Sequence, residues 1–119
     1  MRSIQSNSIS KKNWPTFSQH VVAIQSESFP NTLEDLKAIA DQICEKLNLD
    51  VVEKMHHPFD PQGETLVYVL SQSHLAIHSW PEFKVLHFDL VSCVEIKRED
   101  FAKVLQSYFE LENSYYEWL

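Results

Sequence analysis

The spacing of apolar residues changes several times along this chain, and each change marks an element. "QHVVAIQ", residues 19–25, is a short β-branched run and predicts a strand. In "FPNTLEDLKAIADQICEKLNL", residues 29–49, Leu36, Ile39, Ala40, Ile43 and Leu47 recur at helical spacing, so one face is apolar. Pro30 precedes that helix, and Thr32-Leu33-Glu34-Asp35 has the form of a capping box, with Asp in place of the longer Glu. "DVVEKM", residues 50–55, predicts a second strand, and "HHPFDPQGE", residues 56–64, a loop, from its prolines and glycine. "TLVYVLS", residues 65–71, is mostly apolar and predicts a central strand. "HLAIHSW", residues 74–80, alternates and reads as extended, and "FKVLHFDLVSCVEI", residues 83–96, predicts a further long strand. Helical spacing returns at 98–111 through Phe101, Val104, Leu105 and Tyr108, with acids in the first turn. The aromatic tail "ENSYYEWL" either ends the sheet or covers an interface.

Strand, helix, several antiparallel strands, then helix describe an α+β fold. The expectation is a two-layer sandwich of a mostly antiparallel sheet with both helices on one face. The other face must then meet water, a partner or a second copy, and its apolar residues suit a homodimer. Residues 1–18 are polar and predict a flexible arm, leaving 19–119 as a single domain. A chain of 119 residues with 44% hydrophobic residues supports one buried core. The net charge of -7 argues against tracking nucleic-acid phosphates and suits a cationic ligand. Two cysteines, Cys44 and Cys93, make no disulfide scaffold, and no apolar run approaches a membrane span. The expectation is a cytoplasmic protein without membrane contact. With Gly63 as the sole glycine, no glycine-rich phosphate loop exists.

The chemistry gathers in "VLSQSHLAIHSWPEF", residues 69–83, which holds Ser73, His74, His78, Trp80 and Glu82. His74 and His78 have metal-pair spacing only on a helix. On a strand they stand about 13 Å apart, too far for one ion, and no metal site is expected. His56 and His57 read as a solvated loop pair. Ser73, His78 and Asp89 could form a hydrolytic triad, but the G-x-S-x-G elbow is missing. Ser73 and His78 are five positions apart and face opposite sides of a flat strand, so cooperation requires a turn between them.

The segment "FDPQGETLVYVLSQSHLAIHSWPEF", followed by "DLVSC", resembles the short prokaryotic S-adenosylmethionine decarboxylases. Phe59, Pro61-Gln62-Gly63, Ser73-His74-Leu75, Ile77-His78, Trp80-Pro81-Glu82, Asp89 and Cys93 fall in register with that family's pattern without a gap. The match covers about a third of the chain. The resemblance implies that Ser73 attacks the Gln72 carbonyl, cleaving the chain into a β chain, 1–72, and an α chain, 73–119. It also implies that Ser73 becomes a covalently bound pyruvoyl group, which takes the substrate amine as a Schiff base and serves as an electron sink. By the same resemblance, Thr65 and His78 would assist processing and Cys93 would be the proton donor. Phe59 and Trp80 would stack the adenine, Glu82 would accept the ribose hydroxyls, and Leu75 would belong to the substrate site. The family's site lies between two protomers.

Several positions depart from the pattern. Gln72 replaces a glutamate, Lys84 and Val94 replace glycines, and His87 replaces a small residue. Three functions follow: decarboxylation of S-adenosylmethionine for spermidine and other polyamines, decarboxylation of ornithine or arginine on the same fold, or an unprocessed homologue that binds or regulates a partner.

Overall fold

The computed structural model describes residues 13–119, so most of the arm expected over 1–18 lies outside the described residues. Six strands and two helices follow in the order β1 (Ser18–Ser26), α1 (Leu33–Lys46), β2 (Val51–Pro58), β3 (Glu64–Leu70), β4 (Ser73–Trp80), β5 (Val85–Ser92), α2 (Arg98–Gln106) and β6 (Ser114–Trp118). They build one sheet in the order β2-β3-β4-β5-β1-β6, and every neighbouring pair is antiparallel. Thr32 caps α1, its hydroxyl accepting from the Asp35 N–H at 3.1 Å.

Strand alternation sorts the side chains onto two faces. One face, with Val22, Ile24, Leu66, Tyr68, Leu75, Ile77, Phe88 and Leu90, packs in a single cluster with Leu36, Ile39 and Ile43 of α1 and Phe101 and Leu105 of α2. Phe88 sits edge-on to both Phe101 and Phe109, tying the sheet to the α2 segment. The opposite face carries Val21, Ala23, Val67, Val69, Ala76, Val85 and Val91, half-buried, and neither helix covers it. This is the expected two-layer α+β sandwich.

Several boundaries differ from the sequence expectation, among them the end of α2, which stops at Gln106 rather than running to 111. β2 does not stop at Met55: His56, His57 and Pro58 pair with Leu66, Thr65 and Glu64, shrinking the loop to residues 59–63. Pro58 is tolerated because β2 is an edge strand, where a missing N–H breaks no central ladder. The strand expected over 83–96 spans only Val85–Ser92, preceded by a short 3-10 turn, Pro81–Phe83. Residues 93–97 turn away towards α2, with Ser18 Oγ donating to the Val94 carbonyl and accepting from the Ile96 N–H. The tail resolves as β6, pairing with β1.

Candidate functional site

The two ends of β4 hold different chemistry. At its start, Ser71 and Gln72 form a two-residue hairpin between β3 and β4, with Leu70 opposite Ser73. Gln72 has φ +59, a left-handed conformation that a residue with a Cβ adopts at a cost of about 1 kcal/mol or more. The peptide between Gln72 and Ser73 therefore sits next to local backbone strain. Ser73 Oγ donates to the Ser71 carbonyl at 3.3 Å, and Cys93 Sγ donates to the same oxygen at 3.4 Å. Hydroxyl and thiol share one acceptor because β5 runs beside β4 and ends level with its start, His74 opposite Val91.

At the far end of β4, Thr65 Oγ1 and His78 Nδ1 lie 2.8 Å apart across the β3–β4 ladder. Burial, and next the facing His87, lower the pKa of His78 from the ordinary histidine value, against the opposing pull of Asp89. Both influences favour the neutral imidazole, the form that can accept a proton. A cleft of about 540 Å³ opens beside this pair, lined by Phe59, Gln62, Thr65, His78, Trp80 and Glu82 among others. Phe59 and Trp80 are 51% and 42% exposed, which leaves ring faces free for a flat ligand. The His57 ring stands edge-on to Phe59 at 4.9 Å. Leu75 differs from the other candidates: its side chain is 1% exposed, within the core.

Gly63 shapes that cleft. Its φ is +103, and a Cβ there would meet the Ser79 carbonyl at 3.1 Å. Its own carbonyl accepts the Phe59 N–H at 2.9 Å, closing the loop that carries the aromatic ring. Gly63→Ala is expected to cost about 1–3 kcal/mol, read as a melting temperature lower by roughly 5 °C or more in a thermal denaturation scan.

The strand does not turn between the two ends. Ser73 and His78 are five residues apart on an unbroken β4, about 17 Å along its length. One chain therefore brings Ser73 to Cys93, and Thr65 to His78, Phe59, Trp80 and Glu82, but does not bring the two groups together. The Asp89 carboxylate meets His74 Nε2 at 3.5 Å rather than His78. His56 is no free loop residue: it pairs with Glu64. Sequence reasoning missed the Ser71 carbonyl, and it passed over His57 beside Phe59. Each lies only two residues from its partner, Ser71 from Ser73 and His57 from Phe59, but the contact follows only once the tight hairpin and the extension of β2 to Pro58 are known. No group of three His, Cys, Asp or Glu side chains among the described residues is arranged to hold a metal. No helix among them is long and apolar enough to cross a membrane.

Comparison with known proteins adds a family to this geometry. The curated S-adenosylmethionine decarboxylase proenzyme of Thermodesulfovibrio yellowstonii is 37% identical over 79 residues, 66% of this chain and 58% of that protein. The proenzyme of Methanococcus maripaludis is 41% identical over 59 residues, 49% of this chain and 48% of that one. That of Archaeoglobus fulgidus is 28% identical over 69 residues, 58% and 62%. The chain thus matches about half to three-fifths of the length of these relatives. The crystal structure of the adenosylmethionine decarboxylase from Aquifex aeolicus VF5 superposes with a TM-score of 0.68 at 19% identity, covering 88% of this chain and 89% of that one, which supports the fold. The sequence model of S-adenosylmethionine decarboxylase matches residues 19–118, from the second residue of β1 to the last of β6. By that near-complete match, the chain belongs to the S-adenosylmethionine decarboxylase family.

Proposed function

We propose that this protein is a self-processing, pyruvoyl-dependent decarboxylase of S-adenosylmethionine, supplying the aminopropyl donor for polyamine synthesis. The observation that carries the proposal is the hairpin. A serine hydroxyl and a cysteine thiol meet at one carbonyl, beside a peptide whose preceding residue is held left-handed. These residues fit the making of the prosthetic group, because the reaction needs an oxygen on Cβ. Ser73 Oγ adds to the Gln72 carbonyl carbon and the C–N bond breaks, giving an ester and a free amine on Ser73. Loss of the Ser73 Cα proton to a base then expels the Gln72 carboxylate from Cβ. The resulting enamine tautomerises, and water replaces its nitrogen, which leaves as ammonia. The pyruvoyl group so formed supplies the electron sink for loss of CO₂.

The remaining residues bind the substrate and move protons. Phe59 and Trp80 offer flat faces to a purine and negative π-surfaces to a sulfonium, and Glu82 accepts hydroxyl protons from a ribose. Cys93 holds a proton at Sγ beside position 73. His78, kept neutral, is the base for the Cα proton of Ser73. Because His78 is out of reach within one chain, that base comes from a second copy seated on the uncovered apolar face. In a two-fold dimer each contact occurs twice. An axis crossing β4 near Ala76, the outward residue midway between the two ends, brings the hairpin backbone of each copy to the His78 end of the other. The Ser73 side chain lies on the opposite face of β4, in line with Leu75 and Ile77. The partner's His78 therefore approaches position 73 from its backbone side, where the Cα proton is, and not its hydroxyl.

Intact mass under denaturing conditions tests the proposal. Two fragments divided between Gln72 and Ser73 are expected, the second blocked to stepwise N-terminal degradation. One full-length species after prolonged incubation refutes it. The shared site has its own test. Ser73→Ala and His78→Ala should each remain whole, whereas co-refolding them in equal amounts should cleave about half of the chains that retain Ser73, the statistical share of mixed dimers. Absence of cleavage in the mixture refutes assembly of the site between copies.

A further inference from the structure

His78 has a second histidine beside it that the proposed chemistry leaves unused. The strand register aligns Thr65, His78 and His87 side by side on β3, β4 and β5. The rings of His78 and His87 lie 6.0 Å apart between centroids, inclined at 51°. His78 Nδ1 has the Thr65 hydroxyl, whereas His87 Nδ1 is buried and has no hydrogen-bond partner among the described residues. An unsatisfied buried nitrogen is costly, and a phenylalanine or valine would fill the same place without it. Packing alone therefore does not account for a histidine here.

We propose that His87 is a positioning residue for His78: its ring confines the imidazole against Thr65, and its charge, when protonated, opposes protonation of His78. The inference rests on the self-cleavage proposed above, in which His78 must be a free base. Burial is the larger influence holding His78 neutral, and His87 the next.

The other charged groups on this face are few and placed by strand. Asp89 of β5 favours protonation of His78, and its carboxylate is engaged by His74 of β4 at 3.5 Å and by Gln19 of β1 at 3.1 Å. On β2, His57 lies one strand beyond Thr65. On β6, Glu117 lies one strand beyond Ala23, which itself faces His87. Glu82 stands in the turn after β4. β3 presents only the neutral Thr65, Val67 and Val69. Among the described residues, His87 is thus the immediate ring neighbour of His78 that can oppose its protonation.

Two replacements separate charge from bulk: His87→Phe keeps a ring without charge, and His87→Lys keeps a positive charge without the ring. The first measurement is an NMR titration of the His78 imidazole in full-length Ser73→Ala protein, which reads the coupling without any cleavage. The second is the pH–rate profile of self-cleavage in the native Ser73 background. His87→Phe should move the His78 midpoint and the acid limb of cleavage to higher pH, slowing cleavage several-fold on that limb. His87→Lys should hold both close to native. Equal shifts in the two variants, or none in either, overturn the proposal and leave His87 as packing. A shifted midpoint in a native chain that never cleaves refutes the processing chemistry instead, with the coupling of the two rings intact. Should His87→Phe fail to fold, the neutral, polar His87→Gln takes its place in both measurements.

Discussion

Ser73→Ala is expected to fold and to remain a single uncleaved chain, with no carbonyl group that hydrazine reagents can label. The hydroxyl makes one described hydrogen bond, to the Ser71 carbonyl at 3.3 Å. Its removal leaves no buried group stranded, so stability should change by no more than about 0.5 kcal/mol. The chemical effect is total by contrast, because a methyl group has no lone pair to add to the Gln72 carbonyl and no bond to break afterwards. Ser73→Thr keeps an oxygen on Cβ and should still cleave, more slowly, since the added methyl crowds a hairpin already held left-handed at Gln72. Mass spectrometry of the two variants beside the native chain reads both outcomes. Cleavage of the Ala variant at the same bond sinks the assignment of Ser73 as the attacking group.

The contrast between Ser73 and His78 also marks how far the sequence is legible. Leu36, Ile39, Ala40 and Ile43 at helical spacing locate α1, and all four are buried. The alternation in "HLAIHSW" locates β4, and it sorts Leu75 and Ile77 into the core. What local pattern misses is decided by neighbours far along the chain. Pro58 reads as a loop residue until β2 is known to be an edge strand. Val94 and Ile96 extend an apolar run, yet the chain leaves the sheet there because Ser18, far away in sequence but opposite Ser92 on the neighbouring β1, holds both backbones. The candidate site follows the same division. Residue types and motif spacing were visible, including the need for a turn between Ser73 and His78. That β4 runs straight through, setting the two apart, depends on an unbroken ladder to β3 and β5 on either side. His87 meets His78 only through that β4–β5 register.

Cys93→Ala should separate the two stages of the chemistry. Cleavage changes only bonds at Gln72 and Ser73, where the thiol supplies no atom, so the variant is expected to yield both fragments in native proportion. Decarboxylation then needs a proton for the carbon that loses CO₂, and the Cys93 S–H, which donates to the Ser71 carbonyl at 3.4 Å, is the side-chain donor placed beside position 73. Loss of a positioned proton donor lowers turnover by roughly 10²–10⁴-fold, which a ¹⁴CO₂ release assay with carboxyl-labelled S-adenosylmethionine measures directly. Cys44 serves as the control. It is 3% exposed in the core, and burial pushes its pKa up to about 11, so it keeps its proton and is out of reach of solutes. A thiol reagent at neutral pH should therefore label Cys93 and spare Cys44, with loss of activity tracking the first label. Native turnover in the Cys93→Ala variant would remove the thiol from the mechanism and leave its contact with the Ser71 carbonyl as structural alone.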